Sequence, residues 1–149
     1  MVQIIRTQSD NTDFLGLVKL LDAELAARDG DDHAFFAALN KVDMIKHVVL
    51  LYENEVAVGC GAMKHYEEGV MEVKRMYVAE NKRSRGLASQ VLQALENWAI
   101  ELGYKRFILE TGIKQPEAIS LYTKNRYQRI PNFGKYIGIE ESVCFEKLL

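Results

Sequence analysis

Two periodicities divide the chain. Val2 to Thr7 is a short apolar run of strand type, and Ser9, Asp10, Asn11, Thr12 and Asp13 then offer the oxygen-bearing side chains that cap a helix. Phe14, Leu17, Val18, Leu21 and Leu25 follow at helical spacing, which predicts an amphipathic helix to about Arg28, ended by Gly30. Asp31 and Asp32 cap a second short helix, His33 to Leu39, whose Phe35 and Phe36 need an apolar surface to cover. From Met44 the period changes. Val48 to Tyr52, Val56 to Met63 and Val70 to Val78 are runs of β-branched, aromatic and other apolar residues and predict strands. Glu53-Asn54-Glu55 and Tyr66 to Gly69 are short polar connections between them, so an antiparallel meander is the simplest pairing. Val91, Leu92, Leu95, Trp98, Ala99 and Leu102 mark a helix stopped by Gly103. Phe107 to Leu109 is a further strand, Pro116 to Asn125 a helix, and two short strands lie near Tyr127 to Ile130 and Ser142 to Phe145. This order predicts a mixed α+β fold with no internal repeat or linker.

Composition narrows the class. The 149 residues are 48% hydrophobic and 27% charged with only 2 prolines, which fits a single domain over 1–149. A chain of this length buries roughly 68–70% of its unfolded surface and needs no disulfide or metal to fold. A formal charge of -2 gives no overall basic field to draw the protein onto nucleic acid or anionic lipid, so any anion site has to be local. The first residues, MVQIIRTQSD, lack the pattern of a secretory signal, and no apolar run approaches the roughly 18 residues of a membrane span, so a cytoplasmic location is expected. Cys60 and Cys144 have no partner at metal-binding or redox-motif spacing, and His33, His47 and His65 are scattered; buried thiols and no metal site are expected.

The stretch with chemical content is Arg83-Ser84-Arg85-Gly86-Leu87-Ala88, directly after one predicted strand and opening the next predicted helix. Unpaired N–H groups at a helix start sit at the positive end of the helix dipole and cradle phosphate. Gly86 and Ala88 let a diphosphate approach the backbone, and Lys82, Arg83 and Arg85 add charge, although a solvated basic turn has the same letters. No G-x-x-x-x-G-K-[ST] is present, and the loop is not a G-x-G-x-x-G after a first strand, so ATP and dinucleotide readings lose.

In this context the sequence resembles the GNAT superfamily of acetyl-CoA-dependent N-acetyltransferases, and is close to small bacterial acetyltransferases of that group. The family signature Gln/Arg-x-x-Gly-x-Gly/Ala is matched by Arg83-x-x-Gly86-x-Ala88, the family's strand end by Met76-Tyr77-Val78-Ala79, and its later helix by Ala118-Ile119-Ser120-Leu121-Tyr122. Leu109-Glu110-Thr111-Gly112 and Ser142-Val143-x-Phe145 complete the ordered set, which covers residues 44 to 149 well and the N-terminal part more loosely. Two positions depart from the pattern. Gln115 stands where an Asn is frequent, and Arg126 replaces the Gly usual at the helix end, where Asn125 is expected to take the left-handed conformation.

The resemblance implies a mostly antiparallel central sheet flanked by helices, with acetyl-CoA as co-substrate. It implies that Arg83, Ser84, Arg85, Gly86, Leu87, Ala88 and Ser89 hold the diphosphate, that the backbone of Met76, Tyr77 and Val78 pairs with pantetheine and the acetyl carbonyl, and that Gln115 meets the pantetheine arm. Tyr122 takes the place of a tyrosine near the thioester sulfur, where a phenol with an ordinary pKa of about 10 can protonate the leaving thiolate. Glu72 stands where some members carry the carboxylate that removes the amine proton. Glu110 competes for that role or binds the acceptor ammonium, and each is otherwise a solvent-facing residue or an ion-pair partner of Lys74 or Arg75. Asp29, Asp31, Asp32 and His33 on one side and Pro131 to Tyr136 on the other wall the acceptor site, where Phe133 and Tyr136 could cover an apolar acceptor. Direct transfer to a primary amine of a small molecule is expected. A protein or peptide acceptor and a non-catalytic CoA-binding sensor are the alternatives, and a homodimer is left open.

Overall fold

The computed structural model describes residues 1–29 and 45–149. The second helix expected over His33 to Leu39, with Asp31, Asp32 and His33, lies outside the described residues. Seven strands form one sheet: β1 (Val2–Thr7), β2 (His47–Glu53), β3 (Val56–Glu67), β4 (Val70–Val78), β5 (Arg106–Gly112), β6 (Gln128–Ile130) and β7 (Ser142–Leu148), in the order β1-β2-β3-β4-β5-β7-β6. Neighbours run antiparallel except β4 and β5, which are parallel. The α-helices among the described residues are α1 (Thr12–Asp29), α2 (Leu87–Glu101) and α3 (Pro116–Lys124).

Local chemistry sets the element ends. Asn11 is the member of the polar cluster that caps α1: its Oδ1 accepts from the backbone N–H of Asp13 at 2.9 Å and of Phe14 at 3.1 Å. Asn54 and Glu55, at φ 49° and 71°, turn β2 into β3, the left-handed pair that matches the twist of a tight hairpin. The end of α3 corrects one expectation. Asn125 keeps a negative φ of -90° and Arg126 takes the left-handed conformation at φ 72°. The Asn125 side-chain amide instead donates to the Leu121 carbonyl at 2.8 Å and to Ser89 Oγ at 3.1 Å, which ties α3 to the first turn of α2. The residue left to make the turn is therefore Arg126, at the position of the missing glycine.

The sheet is covered on both faces. Phe14, Leu17 and Leu21 of α1 bury against Val48, Leu50, Cys60, Ala62 and Tyr77. On the opposite face Leu87, Val91, Leu92, Leu95 and Ala99 of α2 and Tyr122 of α3 meet Val49, Met63, Met71, Val73, Phe107 and Leu109. Each fully buried aliphatic side chain contributes roughly 1.5–3 kcal/mol, so these two layers supply most of the driving force.

One irregularity positions the cleft. Cys60 pairs with Tyr77 and Ala62 with Lys74, so Gly61 alone faces two residues of β4, Arg75 and Met76. Arg75 takes φ 56° and carries this bulge. Gly61 leaves room opposite it: a Cβ there would lie 2.5 Å from Met76 Sδ and 2.9 Å from Leu95 Cδ1, so those side chains would have to shift.

Candidate active site

β4 and β5 pair only at Val70–Arg106, Met71–Phe107 and Glu72–Ile108. Beyond that point β5 stays with β7 as far as Gly112, and among the described residues the main chain from Val73 to Val78 has no strand on its β5 side. The parted strands open a cavity of about 550 Å³. One end is walled by the loop after β4 and the start of α2, the other by Glu72, Lys74, Glu110 and Tyr136.

The first end is built from main chain. Gly86 caps α2 at φ 78°, ψ 9°, with no side-chain cap. The N–H of Gln90 donates to the Gly86 carbonyl at 3.1 Å, so the N–H groups of Leu87, Ala88 and Ser89 precede the first bond of the helix and have no acceptor within it. Nothing lies within 4 Å of a Cβ built on Gly86, so any side chain there would project into open space beside the cleft. Arg83 Nε donates to the Val78 carbonyl at 2.8 Å and its Nη2 to Glu24 Oε1 at 2.7 Å, with the guanidinium 5.4 Å above the Tyr77 ring. Ser84, Gly86, Leu87, Ala88 and Ser89 line the cavity, as do Met76, Tyr77 and Val78. Arg85 does not. It pairs with Glu53 of β2, and together with Lys82 it holds that carboxyl down to about 2.

Midway along the cleft Tyr122 is buried but lines the cavity, edge-on to Tyr127 at 5.6 Å, and burial pushes its hydroxyl well above the ordinary phenol range. Gln115 is 8% exposed; its Oε1 accepts from Arg28 Nη1 at 2.9 Å, while its Nε2 is buried with no hydrogen-bond partner among the described residues. That orphaned donor suits a carbonyl on a bound group, and with the free amides of α2 it makes the cleft fit a molecule with a diphosphate at one end and amide carbonyls along its arm. Arg28, on the last turn of α1, also pairs with Glu117 at 2.7 Å and so crosses from α1 to α3.

The second end is built from side chains. Glu72 and Lys74 point to the α1 face of β4, with Nζ 3.4 Å from Glu72 Oε2 and side-chain exposures of 10% for the lysine and 11% for the glutamate. Lys74 Nζ also donates to the Tyr136 hydroxyl at 3.2 Å. Burial lowers the Lys74 ammonium below its ordinary pKa against the pull of Glu72. Glu110 accepts from Ser142 Oγ at 2.7 Å, and burial raises its carboxyl above the usual range. Asn132 Nδ2 fixes the Tyr136 loop by donating to the carbonyls of Tyr136 at 3.1 Å and Ile139 at 2.8 Å. Phe133 stands behind Tyr136, between it and Tyr66.

The cavity thus brings together Glu72, Met76, Tyr77, Val78, Arg83, Ser84, Gly86, Leu87, Ala88, Ser89, Glu110, Gln115 and Tyr122, with Tyr136 of the acceptor loop, and leaves out Arg85 and Phe133 among the residues proposed from sequence. Sequence reasoning treated Lys74 only as an ion-pair partner and missed Arg28, Glu24 and the hydroxyl of Ser142. The one available signal was the i, i+2 spacing of Glu72 and Lys74, which puts both on one face of a strand. Among the described residues no helix is long and apolar enough to cross a membrane, and no His/Cys/Asp/Glu group is placed to hold a metal.

A model of the acetyltransferase (GNAT) family matches residues 14–126. An acetyltransferase of Azospirillum brasilense named for IAA is 37% identical over 93 residues, which are 62% of this chain and 61% of that protein; the chain matches about three fifths of the length of that relative. A Klebsiella pneumoniae protein described as an acyl-CoA N-acyltransferase has a solved structure that superposes with a TM-score of 0.83 at 32% identity, covering 100% of this chain and 98% of that one. A GNAT acetyltransferase of Elizabethkingia anophelis solved with acetyl-CoA bound shares the fold, with a TM-score of 0.69, 17% identity and coverage of 99% and 98%.

Proposed function

The chain belongs to the acetyltransferase (GNAT) family, and from that premise we propose that it moves the acetyl group of acetyl-CoA directly to a primary amine of a small molecule. The observation that carries this reading is the parting of β4 from β5 immediately before a helix whose first amides are free. One cleft then offers an anion cradle and an unpaired strand edge in line.

Bound in that line, acetyl-CoA supplies the activated acetyl thioester. The amides of Leu87, Ala88 and Ser89 hold the diphosphate, with Gly86 keeping the approach open and Arg83 and Ser84 beside it. Arg85 adds only distant charge while it pairs with Glu53. The main chain of Met76, Tyr77 and Val78 orients the arm as an added strand would, and Gln115 Nε2 donates to it. Tyr122, kept protonated by burial, gives its proton to the leaving thiolate. Glu72 removes the proton from the acceptor ammonium, and Glu110 lies across the gap as a second ligand for it. The buried character of Glu72 and Lys74 favours a small acceptor over a protein chain, of which only an extended side chain or terminus reaches groups so little exposed.

Calorimetric titration with CoA, paired with free-thiol release from acetyl-CoA across a panel of amines, tests the reading. Gly86→Glu places bulk and negative charge at the cradle and should weaken CoA binding at least 10-fold in a folded protein. Unchanged affinity overturns the diphosphate site. Tight CoA binding without turnover on any amine replaces the enzyme reading with a sensor.

A further inference from the structure

The acceptor end of the cavity holds charges of both signs. Glu72 and Lys74 are each about nine-tenths buried, and buried ions cost free energy unless closely paired and fully hydrogen-bonded. Here they are not. The Nζ to Oε2 distance is 3.4 Å, whereas a charge-assisted hydrogen bond closes to about 2.7–2.9 Å. Glu72 Oε2 is buried with no hydrogen-bond partner among the described residues, although the carboxylate also meets the Tyr136 hydroxyl. Lys74 spends one donor on Tyr136, which leaves donors beyond that contact. Both ions line the cavity, on the face of the sheet reached through the gap between β4 and β5.

An arrangement this loose is completed by a ligand carrying both charges. On the acetyl-transfer reading, on which this step rests, we infer that the acceptor is an α-amino acid, whose ammonium sits on Glu72 and whose carboxylate sits on Lys74. In such a molecule the nitrogen and the nearer carboxylate oxygen are roughly 3 Å apart by standard bond lengths. That spacing matches the 3.4 Å between the two protein ions, so four charges alternate around a square and each gains a short opposite neighbour. A zwitterion also adds no net charge to the buried site. A simple alkylammonium adds a second cation beside Lys74 and leaves Lys74 facing it. Glu110 is a weaker counter-charge for that cation than Glu72, since burial raises its carboxyl and Ser142 Oγ already occupies one oxygen.

The test uses matched acceptors, each an α-amino acid and the amine left by removing its carboxyl group: leucine with isopentylamine, phenylalanine with phenethylamine, tyrosine with tyramine. Binding is measured by calorimetry on the full chain saturated with CoA, where no turnover occurs. At least one acid should bind 10-fold or more tightly than its decarboxylated partner. Lys74→Met, close in volume and without charge, should reduce that margin to under twofold while CoA affinity stays as in wild type. Lys74→Arg should retain part of the margin, which separates loss of charge from loss of packing, and melting curves verify that both variants fold. Amines binding as well as their acids in every pair overturn the inference. So does an undiminished margin in Lys74→Met, or no binding of any acid to a protein that binds CoA. Failure to bind CoA at all overturns the donor-site reading itself, and this one with it.

Discussion

The two ends of the cleft recognise charge by different means. At the α2 end the work falls to main chain: free N–H groups of Leu87, Ala88 and Ser89 behind a left-handed Gly86. At the β4–β5 apex it falls to the side chains of Glu72, Lys74, Glu110, Ser142 and Tyr136, drawn from separate parts of the chain and mostly buried. A backbone cradle tolerates almost any sequence that keeps its conformation. A side-chain cluster changes its ligand when one residue changes. The donor end is therefore suited to an invariant co-substrate, and the acceptor end to divergence in what is acetylated.

The largest expected effect falls on a side chain between the ends, Tyr122. If the donor half acts through main chain alone, Tyr122→Phe should be silent. With Tyr122 as the proton donor, kcat should instead fall by about 10²–10⁴ while CoA affinity persists. Steady-state rates with calorimetry decide, and a wild-type kcat in Tyr122→Phe removes the residue from the mechanism.

Next comes the strand on which the donor-side backbone is presented. Gly61→Val forces a side chain into Met76, Leu95 and Val91 and should cost about 1–3 kcal/mol in urea unfolding. Gly59→Ala in the same strand, where a Cβ meets its neighbours at 3.5 Å or more, should cost less. Equal costs at the two sites refute the account of the bulge.

The smallest effect concerns the acceptor end and reads out in pH. Burial raises the Glu110 carboxyl in the folded protein, so the folded state holds that proton more tightly than the unfolded chain does. Stability from this source is fully present below the unfolded pKa of about 4.3 and is lost as pH rises through the folded pKa. Glu110→Gln cannot ionise and keeps an oxygen for Ser142 Oγ. Its Tm should exceed that of wild type at pH 7, and the difference should vanish toward pH 4. A difference that does not change with pH excludes ionisation as its cause.

The same contrast explains what could be read from the sequence. The donor end was legible because its parts are consecutive: a strand, a turn with Gly86, and a helix start within a dozen residues. The strands from Val48 onward were legible because their β-branched and apolar runs are strong and end in short polar turns, although β3 runs on to Glu67. Arg85 was misleading, because a basic letter in a phosphate-type loop says nothing of Glu53 on β2, which draws its side chain away. Arg126 was misread because the sequence hides the Asn125 bonds to Leu121 and Ser89 that hold Asn125 itself in a right-handed turn. The role of Lys74 was invisible for a simpler reason: Tyr136 lies 62 positions away along the chain.

The bulge at Arg75 makes β4 two strands in different phase. Up to Lys74 the even positions face α1; after it Tyr77 faces α1, and Met76 and Val78 face α2. Deleting Arg75 would restore an unbroken ladder and leave Met76, Tyr77 and Val78 facing as they do; keeping Arg75 and pairing it with Gly61 instead would turn all three inside out, with the Tyr77 ring forced toward α2 and Val78 toward α1. The extra residue thus acts as a frameshift in space rather than in the message: whether it stands inside or outside the ladder decides which face everything after it presents.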